Sequence, residues 1–346
     1  MKTIPYGRQW VEEKDIRAVV NVLKSDYLTQ GPVIEQFESA VAEYCGVKYA
    51  VAVSSGTSAL HIACLAAELG KGDILWTSPN TFVASANCAL YCDAKLDFVD
   101  IAPHTYNISV DAMKAKLYEA EKNDSLPKVI VPVHIAGQSC DMEQIYHLGK
   151  DYNFTIIEDA CHAIGGSYKG MKIGSCKFSD MTVFSFHPVK IVTTGEGGMV
   201  LTNKDDLYQK LIRLRTHGIT RDNQFMEGES DGPWYYQQIE LGMNYRMTDI
   251  QAALGLSQLD RIDEFIVRRR ELVRRYNELF SDFPLTIPWQ YSDAHSAFHL
   301  YVVRLKLDKI KKTRKEVFEE LREKGIGVNV HYIPVHTQPY YRRLGF

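Results

Sequence analysis

The chain has 346 residues, 45% of them apolar and 24% charged, and a formal charge of -3 at neutral pH. That length buries a sizeable core in one large or two moderate domains, the charge balance offers no basic surface to nucleic acid or anionic lipid, and no apolar run approaches a membrane span. The seven cysteines are odd in number and never spaced as a paired C-x-x-C zinc site, so no metal is expected, and they read as small core residues of a reducing compartment, the cytoplasm.

Ile16, Val19, Val20 and Leu23 recur at helical spacing within residues 12–26, before Gly31 and Pro32. A second helix is predicted over 33–44, a buried strand over 49–53, a loop over 54–58 and a helix over 59–69. A Ser-Ser-Gly-Thr-Ser loop opening a helix is a natural anion site, because free N–H groups and the positive end of the helix dipole face outward there. The same residues would also serve as ordinary N-caps. The loop matches neither G-x-x-x-x-G-K-[ST] nor G-x-G-x-x-G, which removes the main support for nucleoside triphosphate or dinucleotide binding.

Strands at 74–77, 96–99, 129–133 and 154–157 then alternate with helices at 82–91, 110–122 and 142–152. This is the pattern of a mostly parallel sheet covered on both faces, whose ligands bind beyond the carboxyl ends of the strands. Glu158 and Asp159 stand at such an end. A reversing hairpin is predicted over 165–174 and a strand over 181–186, leading to His187-Pro-Val-Lys190 and the glycine-rich turn Thr193-Thr-Gly-Glu-Gly-Gly198. A strand at 199–202, a helix at 205–216 and a long loop at 221–238 follow. Residues 247–280 read as one long helical region whose basic second half is a solvated face. Pro284 and Pro288 then break the chain, and a strand at 299–306, a helix at 314–324 and a strand at 327–331 suit a small α/β domain. The expected division is a large domain over 1–250 and a small one over 251–346.

Three groups in this reading complement one another. Residues 54–58 offer a phosphate cradle, Asp159 an acid for a ring nitrogen, and Lys190, on a strand exit, an amine that can condense with an aldehyde. Pyridoxal 5'-phosphate (PLP) requires these three.

The runs Tyr27-Leu-Thr-Gln-Gly-Pro32, Ser54-Ser-Gly-Thr-Ser-Ala-Leu60, Glu158-Asp-Ala-Cys-His-Ala163, Ser185-Phe-His-Pro-Val-Lys190, Gly195-Glu-Gly-Gly198 and Gly242-Met-Asn-Tyr-Arg-Met-Thr-Asp249 cover nearly the whole chain in order. They resemble the sugar-nucleotide aminotransferases of the DegT/DnrJ/EryC1/StrS group. The resemblance implies the fold type I PLP-dependent transferase architecture, with a mostly parallel seven-stranded-type sheet in the large domain and a small C-terminal α/β domain.

It also implies roles. Lys190 would bind the cofactor's aldehyde and move a proton, and Asp159 would pair with the pyridine nitrogen. Gly56, Thr57 and Ser58 would hold the phosphate with Ser185, and Phe82 would stack on the ring. His162 would lie near the 3'-oxygen, where relatives carry Gln or His. Asn244 would reach the phosphate, and Arg246 a donor carboxylate, from the other subunit of a homodimer. Tyr6, His331, Tyr332 and His336 would approach the nucleotide sugar. Plainer readings stand beside these: a helix cap for Asp159, core packing for Phe82, a structural histidine at 162, and loop residues at 244 and 246.

Within the group, His187-Pro-Val-Lys190 and residues 331–341 are most similar to members of the pseudaminic-acid pathway. This implies transfer of the amino group of L-glutamate to the 4-keto carbon of a UDP-linked 4-keto-6-deoxy-N-acetylhexosamine. The alternatives are a different nucleotide-linked ketosugar and a non-enzymatic PLP-binding regulator. Lys190 argues against the dehydratase branch, in which histidine replaces the lysine. Members usually continue past the equivalent of Leu344-Gly-Phe346, so the small domain is expected to be incomplete.

Overall fold

In the computed structural model, which describes residues 3–346, two helices, α1 (Glu13–Leu23) and α2 (Pro32–Cys45), precede the first strand, β1 (Tyr49–Val53). Helices and strands then alternate through α3 (Gly56–Ala66), β2 (Ile74–Thr77), α4 (Ala84–Tyr91), β3 (Lys95–Phe98), α5 (Val110–Lys122), β4 (Val129–Val131), α6 (Met142–Tyr152) and β5 (Thr155–Asp159). The predicted hairpin is formed by β6 (Ser167–Tyr168) and β7 (Met171–Lys172), and β8 (Met181–Ser185), β9 (Gly198–Thr202) and α7 (Asp205–Arg215) complete the sheet region.

Seven strands pair in the order β1-β9-β8-β5-β4-β2-β3. Only β9 is antiparallel to its neighbours; the other adjacent pairs are parallel. The inversion follows from the connection. The segment between β8 and β9 is a turn-rich loop without the crossover helix that a parallel return needs. The mostly parallel sheet expected from the alternation is therefore present, and the carboxyl ends of β1, β2, β4, β5 and β8 share one edge.

Side chains alternate across this sheet as a strand period of two requires. Val51, Val53, Ile157, Met181, Val183 and Val200 pack with α3, α4 and α7, whereas Ala50, Ala52, Phe184, Met199 and Leu201 pack with α2 and the helix after residue 248. Helix α3 starts earlier than its hydroxyl-rich sequence suggests. Ser55 is the N-cap, its Oγ accepting the Ser58 N–H at 3.0 Å, so residues 56–58 form the first helical turn rather than a loop.

The predicted loop at 221–238 is flanked by a two-residue pairing of β10 (Ile219–Thr220) with β11 (Gln237–Gln238). The long helical region expected over 247–280 forms as two helices, α8 (Asp249–Leu259) and α9 (Ile262–Leu279). At the break, Arg261 donates to the buried carboxylate of Asp15 at 2.6 Å, beside hydrogen bonds from Ser257 and Gln258. Asp249 also reaches across to α2, accepting the N–H groups of Gly31 (2.8 Å) and Val33 (3.0 Å). Two of the sequence runs singled out above thus meet in space.

The C-terminal part departs furthest from expectation. Its strands are short: β12 (Leu285–Thr286), β13 (Ala294–His295) and β14 (Arg304–Leu305). The predicted strand at 299–306 shrinks to β14, because the carbonyls of Phe298 and His299 accept from Arg269 instead of a ladder partner. The strand predicted at 327–331 is absent; Arg322 takes the Val328 carbonyl, and only the Ile4 to Ile326 bridge forms nearby. Helices α10 (Arg314–Glu323) and α11 (Pro339–Arg343) end the chain.

Candidate active site

Asp159 closes β5 at the shared carboxyl edge, and its two oxygens are held separately. Ser85 Oγ, on α4, donates to Oδ2 at 2.6 Å, and the Cys161 N–H donates to Oδ1 at 3.2 Å. Glu158, one residue earlier, faces the opposite side of the strand. There it takes hydrogen bonds from His134 Nε2 (2.7 Å), Thr182 Oγ1 (3.1 Å) and the Ser179 hydroxyl. Burial alone would raise the Glu158 carboxyl, but His134 and the two hydroxyls outweigh it and hold it below its usual value. The pair of carboxylates in the sequence thus divides into one that faces the site and one that braces the strand behind it.

Lys190 leaves β8 through a turn in which its N–H donates to the His187 carbonyl at 2.8 Å. Burial lowers the pKa of its amine, an effect opposed by the neighbouring Cys161 and Asp159. A depressed pKa leaves more of the amine unprotonated at neutral pH, as a nucleophile requires.

The start of α3 lies against β8. A Cβ on Gly56 would stand 2.9 Å from Ser185 Cβ and 3.4 Å from Cys161 Sγ, so only glycine permits this approach. First-turn N–H groups of Gly56 and Thr57 have no acceptor within the helix, and Ser185 Oγ lies beside them. The Ser58 hydroxyl turns inward instead, 3.0 Å from Ser54 Oγ and 2.8 Å from Ser55 Oγ.

His162 is buried, and the Ala136 N–H donates to its Nδ1 at 3.3 Å. A neutral ring accepting there carries its proton on Nε2, which faces Tyr332 Oη at 3.2 Å. Burial, followed by the Lys190, His299 and His331 charges, pushes His162 well below its usual pKa, and His299, tilted against it at 4.5 Å, is lowered by burial, Lys190, Arg269 and His331. Tyr332 arrives from the C-terminal segment with its N–H donating to Asn80 Oδ1 (3.1 Å), and its ring lies 6.4 Å from that of Phe82, which is 59% exposed. Tyr6 Oη and His331 Nε2 are 2.7 Å apart with their rings stacked.

The structure thus gathers Lys190, Asp159, Gly56, Thr57, Ser185, Phe82, His162, Tyr332, His331 and Tyr6 at one edge. It does not bring Asn244, Arg246 or His336 to them. Residues 244–246 pair beside the end of β1, through the Val53 to Arg246 and Thr216 to Asn244 bridges. Asn244 is exposed, and Arg246 lines a separate cavity of about 550 Å³ with Glu35, Glu38 and Lys48. The His336 ring lies 6.1 Å from that of Phe98 on β3. Sequence reasoning missed Thr81, Ser85 and His299. A hint was available for the first two, since hydroxyls four residues apart after the end of β2 share one face of a forming helix.

These residues fit PLP: an amine at Lys190, a carboxylate at Asp159, and free N–H groups beside a hydroxyl where glycine leaves room. The profile of the DegT/DnrJ/EryC1/StrS aminotransferase family matches residues 9–345. The UDP-4-amino-4,6-dideoxy-N-acetyl-beta-L-altrosamine transaminase of Campylobacter jejuni is 39% identical over 342 residues, covering 99% of this chain and 86% of that protein. Among solved structures, Helicobacter pylori PseC, an aminotransferase involved in the biosynthesis of pseudoaminic acid, superposes with a TM-score of 0.88 at 32% identity, over 99% of this chain and 88% of that one. Spr1654 of Streptococcus pneumoniae in its PMP form gives a TM-score of 0.88 at 30% identity, over 99% of this chain and 89% of that one. With the lysine, the acid and the glycine-lined helix start at one edge of the same sheet, the chain belongs to the DegT/DnrJ/EryC1/StrS aminotransferase family and is a PLP-dependent sugar aminotransferase.

Proposed function

We propose that this aminotransferase moves the amino group of L-glutamate to the 4-keto carbon of a UDP-linked 4-keto-6-deoxy-N-acetylhexosamine. The observation that carries the reading is the meeting of the half-buried Lys190 and the doubly held Asp159 carboxylate at the carboxyl edge of the sheet. The substrate assignment draws on the name of the Campylobacter relative.

When bound, PLP supplies a ring that accepts the electrons left by the donor's α-carbon. The rest falls to the chain. Lys190 Nζ would take up and return the proton of the donor carbon, a role that its lowered basicity suits. Asp159 would pair with the ring nitrogen. The start of α3 and Ser185 would hold the phosphate, and Phe82 would cover the ring. His162 stays neutral and orients Tyr332, while the stacked Tyr6 and His331 stand where a nucleotide sugar would bind. Asn244 and Arg246 act in the site of a second copy, since their own chain turns them away from Lys190. A homodimer acting in the cytoplasm is part of this reading. Separately, no helix among the described residues is long and apolar enough to cross a membrane.

Purified protein incubated with PLP, L-glutamate and UDP-linked 4-keto-6-deoxy-N-acetylhexosamine should yield a 4-amino sugar identifiable by NMR. GDP- and dTDP-linked ketosugars run in parallel should react poorly. Preferential amination of either of those would assign a different substrate, and no amination of any ketosugar would overturn the proposal.

A further inference from the structure

The protein satisfies Asp159 from behind with a chain of buried hydroxyls. Ser85 Oγ donates to Oδ2 at 2.6 Å, and Thr81 Oγ1 stands 2.7 Å from Ser85 Oγ; both residues are buried. A hydroxyl has a single proton to donate. While Asp159 is ionised, Ser85 gives its proton to Oδ2 and must accept one from Thr81, so the chain runs in one direction, from Thr81 through Ser85 to Asp159. A proton on Oδ2 would require Ser85 to accept it and would turn the chain round. The other oxygen, Oδ1, is held by a backbone N–H that cannot reverse. Thr81 and Ser85 also flank Phe82, so one stretch of chain supplies both the aromatic face and the support for the acid.

We propose that Ser85, backed by Thr81, sets the basicity of the Asp159 carboxylate and thereby decides which partner holds the proton shared with the cofactor's pyridine nitrogen. This rests on the reading of Asp159 as the partner of that nitrogen, and both hydroxyl residues are positioning residues. Hydrogen bonds to a carboxylate stabilise its charged form and make it a weaker base. A weaker base leaves the proton on the nitrogen, where the positive ring is the better electron acceptor. Removing the Ser85 hydroxyl makes Asp159 more basic and moves that one proton toward the carboxylate. No other bond changes.

The test loads the protein with nitrogen-15-labelled PLP and reads the chemical shift of the ring nitrogen, which separates the protonated from the unprotonated ring. Ser85→Ala should move the resonance toward the unprotonated value and lower kcat by roughly tenfold, as expected for losing a hydrogen bond to a charged group, with KM for either substrate little altered. Ser85→Thr, which keeps the hydroxyl, should restore both. Thr81→Val, similar in size and one hydroxyl removed from Asp159, should shift the resonance the same way by less. An unmoved resonance in Ser85→Ala with PLP bound overturns the proposal. If Ser85→Ala does not fold, Thr81→Val decides, and an unmoved resonance there overturns it. The two readings fail differently: parent protein whose Lys190 cannot be fixed to PLP by borohydride removes the site assignment and this proposal together, whereas bound PLP with an insensitive nitrogen removes only the hydroxyl chain.

Discussion

Burial takes basicity from Lys190, while the hydrogen bonds around Asp159 let a carboxylate remain buried. Asp159→Asn should therefore still bind PLP but lose most turnover, because an amide cannot hold a pyridinium proton; wild-type rates in that variant would remove the assignment. His162 makes a second prediction. Its folded pKa lies well below the usual 6.5, through burial first and then the Lys190, His299 and His331 charges. Below 6.5 the unfolded chain therefore binds a proton that the folded one refuses. This group's stabilisation is whole above 6.5 and is lost as pH falls. His162→Gln keeps an acceptor for Ala136 and a donor for Tyr332, so the apo protein should lose up to about 1.4 kcal/mol less stability per pH unit below 6.5. Urea titrations from pH 7.5 to 5 would show it, and parallel curves for parent and variant would refute it. At this scale the placement of Asp159 and Lys190 at one sheet edge was legible, because Asp159 ends one apolar strand and Lys190 lies a short turn beyond another. Ser85 and His299 were not: the spacing of Thr81 and Ser85 hints at a shared helix face but does not announce Asp159, 74 residues away, and nothing local announces the packing of His299 on His162.

Among the elements, the start of α3, the proposed phosphate cradle, meets β8 through the absence of one methyl group. Gly56→Ala would place a Cβ 2.9 Å from Ser185 Cβ, forcing the helix start and the strand end apart. An overpacking strain of about 1 to 3 kcal/mol should weaken PLP binding by roughly five- to 150-fold, measurable by fluorescence titration of the apo protein. Unchanged affinity would place the phosphate elsewhere. The central strands were legible for the reason this site exists: apolar runs buried on both faces alternate with helices, and ligands collect where such strands end. The C-terminal strands were misjudged because a β-prone run is only a strand when a neighbour offers its N–H and C=O groups. Around residues 298 and 328 arginine side chains took those carbonyls instead.

For the whole molecule, the outward placement of Asn244 predicts complementation between chains. Lys190→Ala and Asn244→Ala proteins, each nearly inactive alone, should regain activity when refolded together, since a mixed dimer holds one intact site and one doubly damaged site. Confirmed mixed dimers without activity would put both residues in the same chain's site. The proposed dependence on a second copy rests on resemblance alone, since periodicity says nothing about which molecule a side chain serves. The pairing of residues 244–246 beside the end of β1 has a further consequence for how copies can meet. It covers the end of β1 that faces the site with the chain's own backbone, while β3 at the opposite margin carries Lys95 and Asp97 and has Phe98 packed against His336, Tyr341 and Phe346. Charges and covered ends discourage a sheet from recruiting further strands. Molecules of this protein should therefore recognise one another through helix faces and loops, and a continuous sheet running from one copy into the next is disfavoured, which also protects a newly made chain from stacking into fibres.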